Sequence, residues 1–384
     1  MRIIHWYSNF LAGGAVAETV FGLANAQVAL GHDVLVVSRD FEKNPDYNSR
    51  LRSDLKAQLY TWVPSMTVRL GKLPARVVPQ RARAVLREYK PDILHIHIGL
   101  LVEDVIAQHI LASSPTVLTA HGAFYPQVLK RKLRMLVEVL KPFFYNRLAA
   151  FHAVSPAEAG IIGQLFCGPQ LYVVPNGLSA ELDVGPSPLS NGHDLPGGTI
   201  KVVCVGRLDV QTKGLDILVR AFACAAVKSP QRLELILVGP RSGGDYAYIV
   251  SLIEQLGIEE RVLITGMTDR QGVGRYLRTA DMFVQTSRWD ACSLASVEAI
   301  TYELPCILSS QSGVSTYPDI ASLPHIHVIE PHVEEVTAAI LDVASSLKQQ
   351  RAFAIQHGPA SREFFSWERI ADSHQRAYAR LIAS

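Results

Sequence analysis

The chain contains 384 residues, of which 48% are hydrophobic and 19% charged, and its mean hydropathy is +0.16. This profile excludes a disordered, collagen-like or coiled-coil chain, and the length is sufficient for two domains. The 37 Lys and Arg residues are balanced by 35 Asp and Glu residues, which excludes a dedicated nucleic-acid-binding protein.

Short apolar runs rich in branched residues alternate with helical patterns in the first half of the chain. A helical pattern from Ala17 to Leu30 joins the first two runs and ends at Gly31, a residue type favoured just after a helix. Continuous apolar strands separated by helices indicate a parallel sheet covered on both faces. The candidate strands are 2–7, 33–38, 92–97, 115–120, 150–154 and 171–175.

The same alternation restarts after a stretch dense in Gly, Pro, Ser and Asn, residues 183–198, which predicts a linker. The second series of candidate strands is 200–205, 233–238, 261–265, 281–285, 304–308 and 325–329. We therefore expect an α/β fold of two Rossmann-like, doubly wound domains, residues 1–182 and 199–362, facing across a cleft. Such domains bind ligands at the carboxyl ends of their strands.

The final segment, residues 363–384, predicts an amphipathic helix with Ser366 as its N-cap. Glu368 places a negative charge in the first turn, whereas Arg369 stands where a capping box would have Glu or Gln. The pattern alone allows the helix to pack on its own domain or to cross back to the first.

The five cysteines are scattered, without the spacing of a metal site or a disulfide framework: Cys167, Cys204, Cys224, Cys292 and Cys306. The N-terminal residues predict a first strand rather than a signal peptide, and no apolar run approaches the roughly 18 residues of a membrane span. We expect a cytoplasmic chain, peripheral to the inner face of the membrane if it binds lipid.

Charge is distributed unevenly, with a net +7 over residues 1–180 and −5 over the remainder. The basic half is therefore expected to meet an anionic partner, such as phosphate or a membrane surface. Segment 127–149 holds six Lys and Arg and one Glu, with apolar residues at helical spacing. It is either a core-packed helix with a solvated basic edge or a surface for anionic lipid. The second interpretation uses Lys130, Arg131, Lys132, Arg134, Phe143 and Phe144.

Three segments carry residue types suited to a diphosphate ligand. Gly13 and Gly14 follow the first strand, where unobstructed backbone N–H groups at a helix start can approach a phosphate; a tight turn is the alternative. Arg207 and Lys213 lie in the loop after strand 200–205, and two such cations suit a diphosphate, unless both are simply solvated.

The third segment places Asp290 eight residues before Glu298, with a helix predicted from about Leu294. Backbone N–H groups at that helix start could bind polar oxygens, and Glu298 could accept hydrogen bonds from a vicinal diol. The alternative is an ordinary acid that favours the helix dipole. The N–H groups concerned belong to Ala291, Cys292, Ser293 and Leu294.

Together these segments resemble the group 1 (family 4) retaining glycosyltransferases of the GT-B fold, over nearly the whole chain. The closing FSWERI stretch is similar to that family's last helix, which returns to the N-terminal domain. The segments that carry the resemblance are Gly13-Gly14, TAHGAF (119–124), AVSPAEA (153–159), VVPNG (173–177), GRLDVQTKG (206–214), LVG (237–239) and Asp290–Glu298.

The resemblance implies that the first domain binds the acceptor and the second the nucleotide sugar. Gly14, with Gly13 beside it, Arg207 and Lys213 would hold the donor diphosphate, and Glu298 the ribose hydroxyls. His121 and Asp290, with the amides of residues 291–293, would hold the donor sugar, and Leu294 is a further donor-binding residue. The catalytic residues implied are His121, Arg207, Lys213 and Asp290. Family members need no catalytic metal, in agreement with the absence of an Asp-x-Asp triplet in this sequence.

Several positions depart from the family pattern. Asp290 stands where Glu is usual, although a subset of polysaccharide-pathway members resembles this chain there. Ala291 and Ser293 replace glycines, and Glu303 replaces the glycine common before Leu-Pro. These departures bear on the identity of the donor sugar rather than on catalysis.

The expected reaction is retaining, metal-independent transfer of a hexose-type sugar to a glycan or lipid-linked acceptor, in surface polysaccharide biosynthesis. UDP is favoured weakly over GDP as the nucleotide, and no cofactor is implied. Two alternatives remain: a nucleotide-sugar epimerase of the same fold and a non-catalytic nucleotide-sugar-binding subunit.

Overall fold

The computed structural model describes residues 1–40, 45–70, 73–178, 198–241 and 244–384. The predicted linker 183–198 lies outside the described residues except at its last position. The chain forms two compact units: unit 1 comprises Met1–Gly177 and Ser366–Ser384, and unit 2 comprises Leu178–Phe365.

Unit 1 contains nine strands and seven α-helices among its described residues. Its strands are β1 Arg2–Trp6, β2 Asp33–Arg39, β3 Gln58–Trp62, β4 Met66–Leu70, β5 Leu73–Val77, β6 Ile93–His97, β7 Thr116–Thr119, β8 Ala150–Ala153 and β9 Gln170–Val173. Its helices are α1 Ala15–Ala29, α2 Pro45–Asp54, α3 Gln80–Tyr89, α4 Val102–Ile110, α5 Arg131–Leu140, α6 Pro156–Leu165 and, from the end of the chain, α15 Trp367–Ala383.

The sheet of unit 1 has seven parallel strands in the order β3-β2-β1-β6-β7-β8-β9. All six predicted strands are confirmed: five are apolar runs that the sheet buries, and β9, at the opposite edge from β3, is apolar in sequence but largely exposed. The sequence patterns missed β3, a half-buried strand at the sheet edge, and the separate antiparallel pair β4–β5. The parallel register aligns His5 of β1 with His95 of β6.

The last helix, α15, packs against α1 within unit 1. Its N-cap is Ser366, as predicted, whose hydroxyl accepts a hydrogen bond from the Arg369 N–H at 3.3 Å. The Trp367 ring lies against two glycines: a Cβ atom would approach the ring to 2.1 Å at Gly22 and to 2.4 Å at Gly177. This close contact requires both glycines and fixes the first turn of the helix.

Unit 2 contains six strands and eight α-helices among its described residues. Its strands are β10 Thr199–Val205, β11 Arg232–Val238, β12 Val262–Gly266, β13 Met282–Gln285, β14 Cys306–Ser309 and β15 Ile326–Ile329. Its helices are α7 Val210–Lys213, α8 Leu215–Lys228, α9 Gly244–Gln255, α10 Arg270–Thr279, α11 Leu294–Thr301, α12 Pro318–Ala321, α13 Val333–Ser345 and α14 Leu347–Phe364.

The sheet of unit 2 is parallel, in the order β12-β11-β10-β13-β14-β15. The order reverses at β10, so the carboxyl ends of β10 and β13 flank the point where doubly wound sheets bind ligands. All six strands predicted for this half are confirmed. Both units thus have the Rossmann-like, doubly wound α/β architecture expected from the sequence.

The basic segment 127–149 contains one ten-residue helix, α5, rather than a helix over its whole length. Val137 is buried and anchors it to the core of unit 1. Phe144 is also fully buried, so its predicted role at a lipid surface is wrong; the hydrophobic core already covers the ring. Among the described residues, none of the helices combines the length and apolar content needed to span a bilayer.

Candidate functional site

In unit 2, the turn between β10 and α8 is shaped by its own side chains. Asp209 caps the short helix α7: one carboxylate oxygen accepts from the Thr212 N–H at 2.8 Å and the other from the Thr212 hydroxyl at 2.9 Å. Gly214 follows with φ +63°, and a Cβ there would lie 2.2 Å from the carbonyl oxygen of Thr286. Only glycine fits this left-handed, crowded position.

Lys213, at the end of that turn, forms an ion pair with Asp290. Both side chains are mostly buried, with 19% and 12% of their surfaces exposed. The structure therefore brings together two of the predicted catalytic residues, 77 positions apart. At this separation in sequence, the contact depends on the parallel sheet that places the β10 and β13 ends side by side.

Arg288 connects the loop that carries Asp290 to the turn between β10 and α8. Its guanidinium makes a bidentate contact with Asp216 at 2.7 and 2.8 Å and donates to the Val210 carbonyl at 2.6 Å. Burial acts to raise the pKa of Asp216, but the hydrogen bonds and charge of Arg288 together lower it. The loop carrying Asp290 is thus fastened to the turn carrying Lys213, although no sequence motif pointed to Arg288.

Arg207 is more accessible than Lys213, with 69% of its side chain exposed. Its guanidinium lies 3.4 Å from Asp209. An exposed guanidinium beside one carboxylate retains donors that can engage a phosphate bidentately. Arg207 therefore lies at the surface of the turn, whereas Lys213 is mostly buried beside Asp290.

Helix α11 begins at Leu294, as predicted, with Ser293 as its N-cap; the Ser293 hydroxyl accepts from the Ser296 N–H at 3.4 Å. Ala291 and Cys292 lie in the loop just before it. One turn inside the helix, Glu298 is buried and pairs with Arg270 at 3.2 Å. Arg270 was not singled out from the sequence; it opens α10, and only the fold brings it to Glu298.

Glu303, which stands where the family has glycine, has a left-handed backbone with φ +61°. A glycine would adopt this conformation without strain. In this chain the buried Glu303 carboxylate pairs with Arg362 at 2.6 Å and packs on Gly358, where a Cβ would come within 2.4 Å of it. Glu303 therefore acts within the packing of α11 against α14, away from Asp290.

In unit 1, Gly13 and Gly14 form the turn into α1. Both have positive φ angles, 77° and 94°, and Gly14 is the residue that precedes the first helical turn. Nothing lies within 4 Å of the position a Gly14 Cβ would take. The position that a Gly14 side chain would take is therefore open, and the absence of that side chain is what a close approach of a phosphate to this helix start would require.

His121 follows β7 and has a left-handed backbone with φ +51°, unusual for a residue with a side chain. The loop is held by Glu158, buried on α6, which accepts from the N–H groups of Gly122 at 2.5 Å and Val154 at 2.8 Å. Burial raises the pKa of Glu158 to about 7 against those two hydrogen bonds. Strain held by a buried partner is a frequent property of functional loops.

His121 is the outer member of a row of hydrogen-bonded imidazoles. Its Nε2 lies 3.0 Å from Nδ1 of His97, and Nε2 of His97 lies 3.0 Å from Nδ1 of His5. The row ends at Gln27, whose Oε1 lies 2.7 Å from Nε2 of His5. Burial lowers the pKa of His5 to about 4 and that of His121 to about 3, and it lowers the pKa of His97 well below 6.5. We call Gln27, His5, His97 and His121 the histidine row.

A second chain of hydrogen bonds runs beside the row. The Tyr378 hydroxyl lies 2.6 Å from Nδ1 of His95, whose Nε2 lies 2.6 Å from the Thr119 hydroxyl. Thr119 lies 2.7 Å from Nδ1 of His152, and Nε2 of His152 donates to the Val174 carbonyl at 2.8 Å. This chain ties α15 to β6, β7 and β8.

Three of these histidines could in principle hold a metal ion. Within the described part of the chain, ring nitrogens of His5, His95 and His97 lie within 4.8 Å of one another. This donor set contains no carboxylate, and each of the six ring nitrogens already lies within hydrogen-bond distance of a partner. A divalent cation there would be buried without a compensating charge. We therefore interpret the group as a hydrogen-bonded network.

The predicted residues thus fall into two sets. Unit 1 holds Gly13, Gly14 and His121, and unit 2 holds the remainder. Lys213 and Asp290 are paired directly. The residues that sequence reasoning missed are the supports: His5, Gln27, Glu158, Arg270 and Arg288.

Two family models match the chain. One, described as Glycosyl transferases group 1, matches residues 188–356, and the other, described as Glycosyltransferase Family 4, matches residues 12–182. Together they span most of both units.

Individual proteins are similar at low identity. The chain is 24% identical over 316 residues to the GDP-mannose:cellobiosyl-diphosphopolyprenol alpha-mannosyltransferase of Xanthomonas campestris, covering 80% of this chain and 78% of that protein. It is 25% identical over 244 residues to the UDP-Gal:alpha-D-GlcNAc-diphosphoundecaprenol alpha-1,3-galactosyltransferase of Escherichia coli, covering 60% of each protein. The structure is similar to Anabaena HepE in complex with UDP and glucose, with a TM-score of 0.75 and 19% identity, covering 99% of this chain and 100% of that one. At this identity the structural likeness establishes the fold.

Proposed function

We propose a reaction for this chain from the premise that it belongs to the group 1 (family 4) glycosyltransferases of the GT-B fold. The reaction is transfer of a hexose-type sugar, with retention of configuration, from a nucleoside diphosphate sugar to a glycan or lipid-linked acceptor in surface polysaccharide biosynthesis. The observation that carries it is the Lys213–Asp290 pair at the carboxyl ends of β10 and β13.

Lys213 and Arg207 are assigned to the departing diphosphate. Glycosyl transfer builds positive charge at the anomeric carbon and negative charge on the leaving group. The Lys213 ammonium is held in place by the capped α7 turn, and the exposed Arg207 guanidinium can follow the phosphates. Positioned cations of this kind stabilise the leaving group as its charge develops. Gly13 and Gly14 are assigned to the same diphosphate through backbone N–H groups.

The sugar and the ribose are assigned to the loop before α11 and to its first turns. Asp290 and the N–H groups of residues 291–294 would hold sugar hydroxyls, and Glu298 would accept from the ribose diol. Glu298 is already oriented by Arg270, so its carboxylate is positioned before any ligand arrives. His121 is assigned to the donor sugar from unit 1.

We propose that the transfer is an ion-pair-like, front-face substitution that needs no divalent metal. The cations and the N–H groups at helix starts supply the charge stabilisation that a metal would otherwise provide. UDP is favoured weakly as the nucleotide: HepE was solved with UDP, whereas the Xanthomonas mannosyltransferase is named for GDP-mannose.

The first experiment is a donor screen with purified protein and UDP-, GDP- and ADP-sugars in the presence of EDTA. Thermal stabilisation by one nucleotide sugar, with slow release of its nucleotide, supports the proposal and identifies the donor. Conversion of the donor into a different nucleotide sugar would indicate an epimerase. Binding without any turnover, even with polyprenol-diphosphate glycans added, would favour a non-catalytic subunit. Absence of binding would overturn the proposal.

The role of Lys213 is tested by Lys213→Ala. Removing the cation costs about 2–4 kcal/mol of transition-state stabilisation, which lowers turnover by about thirtyfold to nearly a thousandfold. Lys228, an exposed lysine at the end of α8, supplies the matched control Lys228→Ala, which leaves turnover unchanged. Wild-type turnover in Lys213→Ala would refute the assignment.

An anionic membrane surface is the proposed location of the acceptor. Met135, Val139 and Phe143, spaced by four residues along α5 and just after it, are 62%, 64% and 63% exposed and form what we call the exposed stripe. Lys130, Arg131, Lys132 and Arg134 flank it on the same segment. An apolar face flanked by cations is the arrangement that binds headgroups and the adjoining acyl region.

Vesicle co-sedimentation tests this surface. Vesicles rich in phosphatidylglycerol are expected to bind the protein and phosphatidylcholine vesicles are not. Met135→Ser with Val139→Ser should weaken binding at least about tenfold. The matched control is Val227→Ser, which removes an equally apolar side chain, 86% exposed, from unit 2. Equal binding of both variants would rule out the exposed stripe.

A further inference from the structure

The histidine row has a direction, because Gln27 Oε1 can only accept a hydrogen bond. Nε2 of His5 therefore carries the proton that it donates to Gln27 at 2.7 Å. Since a neutral imidazole has one protonated nitrogen, Nδ1 of His5 is an acceptor and takes a hydrogen bond from Nε2 of His97 at 3.0 Å. By the same step, Nδ1 of His97 accepts from Nε2 of His121 at 3.0 Å.

We propose that Gln27, through His5 and His97, fixes the tautomer of His121 so that its Nδ1 is an unprotonated acceptor for a hydroxyl of the donor sugar. Gln27, His5 and His97 are positioning residues, since each acts on the sugar only through His121. The inference rests on the proposed function for the identity of the ligand; the tautomer itself belongs to the protein alone.

Burial supports the neutral state on which this assignment depends. His5 and His97 are 0% and 2% exposed, and burial lowers the pKa of both. At neutral pH each imidazole of the row therefore carries one ring proton, and the nitrogen that holds it in one ring determines which nitrogen holds it in the next. Within the described residues, Nδ1 of His121 has no hydrogen-bond partner, and His121 is partly exposed.

The Gln27 amide presents its oxygen to His5, and their separation of 2.7 Å is that of a hydrogen bond. Within the described residues, the amide nitrogen of Gln27 is buried without a hydrogen-bond partner. The orientation therefore rests on the contact with His5.

The row positions a proton and does not conduct one. A proton entering at His121 could pass inward to His97 and His5, but Gln27 is not a base and ends the path. An imidazolium inside the row would also be buried without a carboxylate beside it. His95 stacks on His97 with ring centroids 4.4 Å apart, and its own hydrogen bonds keep it outside the row.

The fixed tautomer has a consequence for the substrate. An unprotonated Nδ1 favours a sugar hydroxyl, which can donate, over a substituent that can only accept, such as fluorine or a methoxy oxygen. Loss of one such hydrogen bond changes kcat/KM by about five- to tenfold. The donor whose hydroxyl facing His121 is replaced by fluorine should show that loss, and the loss should vanish when His121 is replaced by Ala.

The direct test is spectroscopic and uses the ligand-free protein. Long-range ¹H–¹⁵N correlation spectra of protein labelled with ¹⁵N-histidine distinguish protonated from unprotonated ring nitrogens, and His121→Gln identifies the His121 signals by their loss. We expect His121 with Nε2 protonated and Nδ1 unprotonated. A His121 ring protonated at Nδ1 would overturn the proposal without any further variant being made.

Gln27→Met tests whether Gln27 controls the tautomer of His121. Methionine has a similar shape and no acceptor oxygen, so both directions of the row become accessible and His121 should show mixed tautomers. Gln108 supplies the matched control Gln108→Met: it is also buried in unit 1 but donates to the Phe144 carbonyl, outside the row. His121 spectra unchanged by Gln27→Met, or changed as much by Gln108→Met, would refute the role of Gln27.

The two proposals can fail separately. The tautomer is read without substrate, so a chain that transfers no sugar can still show the expected His121 state. Conversely, an active transferase whose His121 is protonated at Nδ1 would retain its proposed function and lose this inference. In an active enzyme, Gln27→Met should lower kcat/KM for the donor about twofold, because roughly half of the His121 rings would keep the accepting tautomer.

Discussion

Mild acid should destabilise unit 1, because five histidines are fully buried in it without charge. They are His5, His95, His97, His152 and His374, all at most 3% exposed. Burial lowers the pKa of His5 and His152 to about 4 and the pKa of the other three well below 6.5. An unfolded histidine binds a proton below about pH 6.5 that these five do not bind in the fold, so stability is lost as pH falls through this value.

The magnitude follows from the same linkage. Between pH 6 and pH 5, each buried histidine removes about 1.2 kcal/mol and the five together about 6 kcal/mol. Two carboxyls oppose this: burial raises the pKa of Asp104 to about 8 and that of Glu158 to about 7, so both already hold protons in the fold. Their protonation offsets about 2–3 kcal/mol over the interval, while His121, whose pKa burial lowers to about 3, adds a loss of about 1 kcal/mol. The net loss is about 4–5 kcal/mol.

Tryptophan fluorescence can follow unit 1 alone. Three tryptophans lie in unit 1 (Trp6, Trp62 and Trp367) and one in unit 2 (Trp289). The variant Trp289→Phe therefore has tryptophan fluorescence from unit 1 alone. Urea unfolding of this variant at pH 6.0, 5.5 and 5.0 should show the loss. A free energy of unfolding that changed by less than about 1 kcal/mol over this range would refute the reasoning, since five neutral histidines require more. Adding His374→Gln should reduce the loss by about 1 kcal/mol.

Three further changes test the architecture of the site and its supports. Gly214→Ala should cost about 2 kcal/mol or more in urea unfolding of unit 2, since it combines a left-handed backbone with a Cβ 2.2 Å from the Thr286 oxygen; a neutral result would mean that the turn moves freely. Ser366→Ala should lower the unfolding free energy of unit 1 by about 1 kcal/mol through loss of the α15 cap, measured in the same fluorescence assay, and Ser366→Asp should restore it. Glu303→Ala should lower the unfolding free energy of unit 2 by about 1–2 kcal/mol because Arg362 loses its carboxylate partner. Glu303→Gly with Arg362→Met should recover most of that stability. Failure to recover it would contradict the interpretation that an ion pair stands here in place of a glycine.

Most strands of the two sheets could be predicted because parallel strands buried on both faces are continuous apolar runs, and the more exposed β9 and β12 are apolar in sequence as well. β3, with the sequence QLYTW, lies at a sheet edge and is only partly buried, so its pattern is weaker. The basic segment 127–149 is longer than α5, since Leu129 and Phe144 lie outside the helix and are buried in the core of unit 1.

The residues proposed for the site were found where they occur in motifs, and the residues that support them were not. Lys213 and Asp290 belong to motifs, and their pairing follows from the strand order. His5 lies in β1 among apolar residues and has no local signal, because its partner His97 is 92 residues away. The alignment of β1 with β6 brings them together, and that register is visible only in the folded sheet. The signal available in the sequence was the alternation of His95 and His97 along one strand, which is equally typical of packing residues.

The placement of α15 also determines when unit 1 can be finished during synthesis. Residues 1–177 are made before unit 2, and α15, which completes unit 1, is made after it. This helix supplies Trp367, which packs on α1, and Tyr378, which joins the hydrogen-bond chain through His95. Chains fold from the N-terminus as they emerge. Unit 2 therefore has its complete sequence before unit 1 does, and the nascent chain carries an exposed groove on α1 until α15 has been made. A ribosome-bound chain whose residues up to 365 have emerged from the exit tunnel should have unit 2 folded and unit 1 without its last helix.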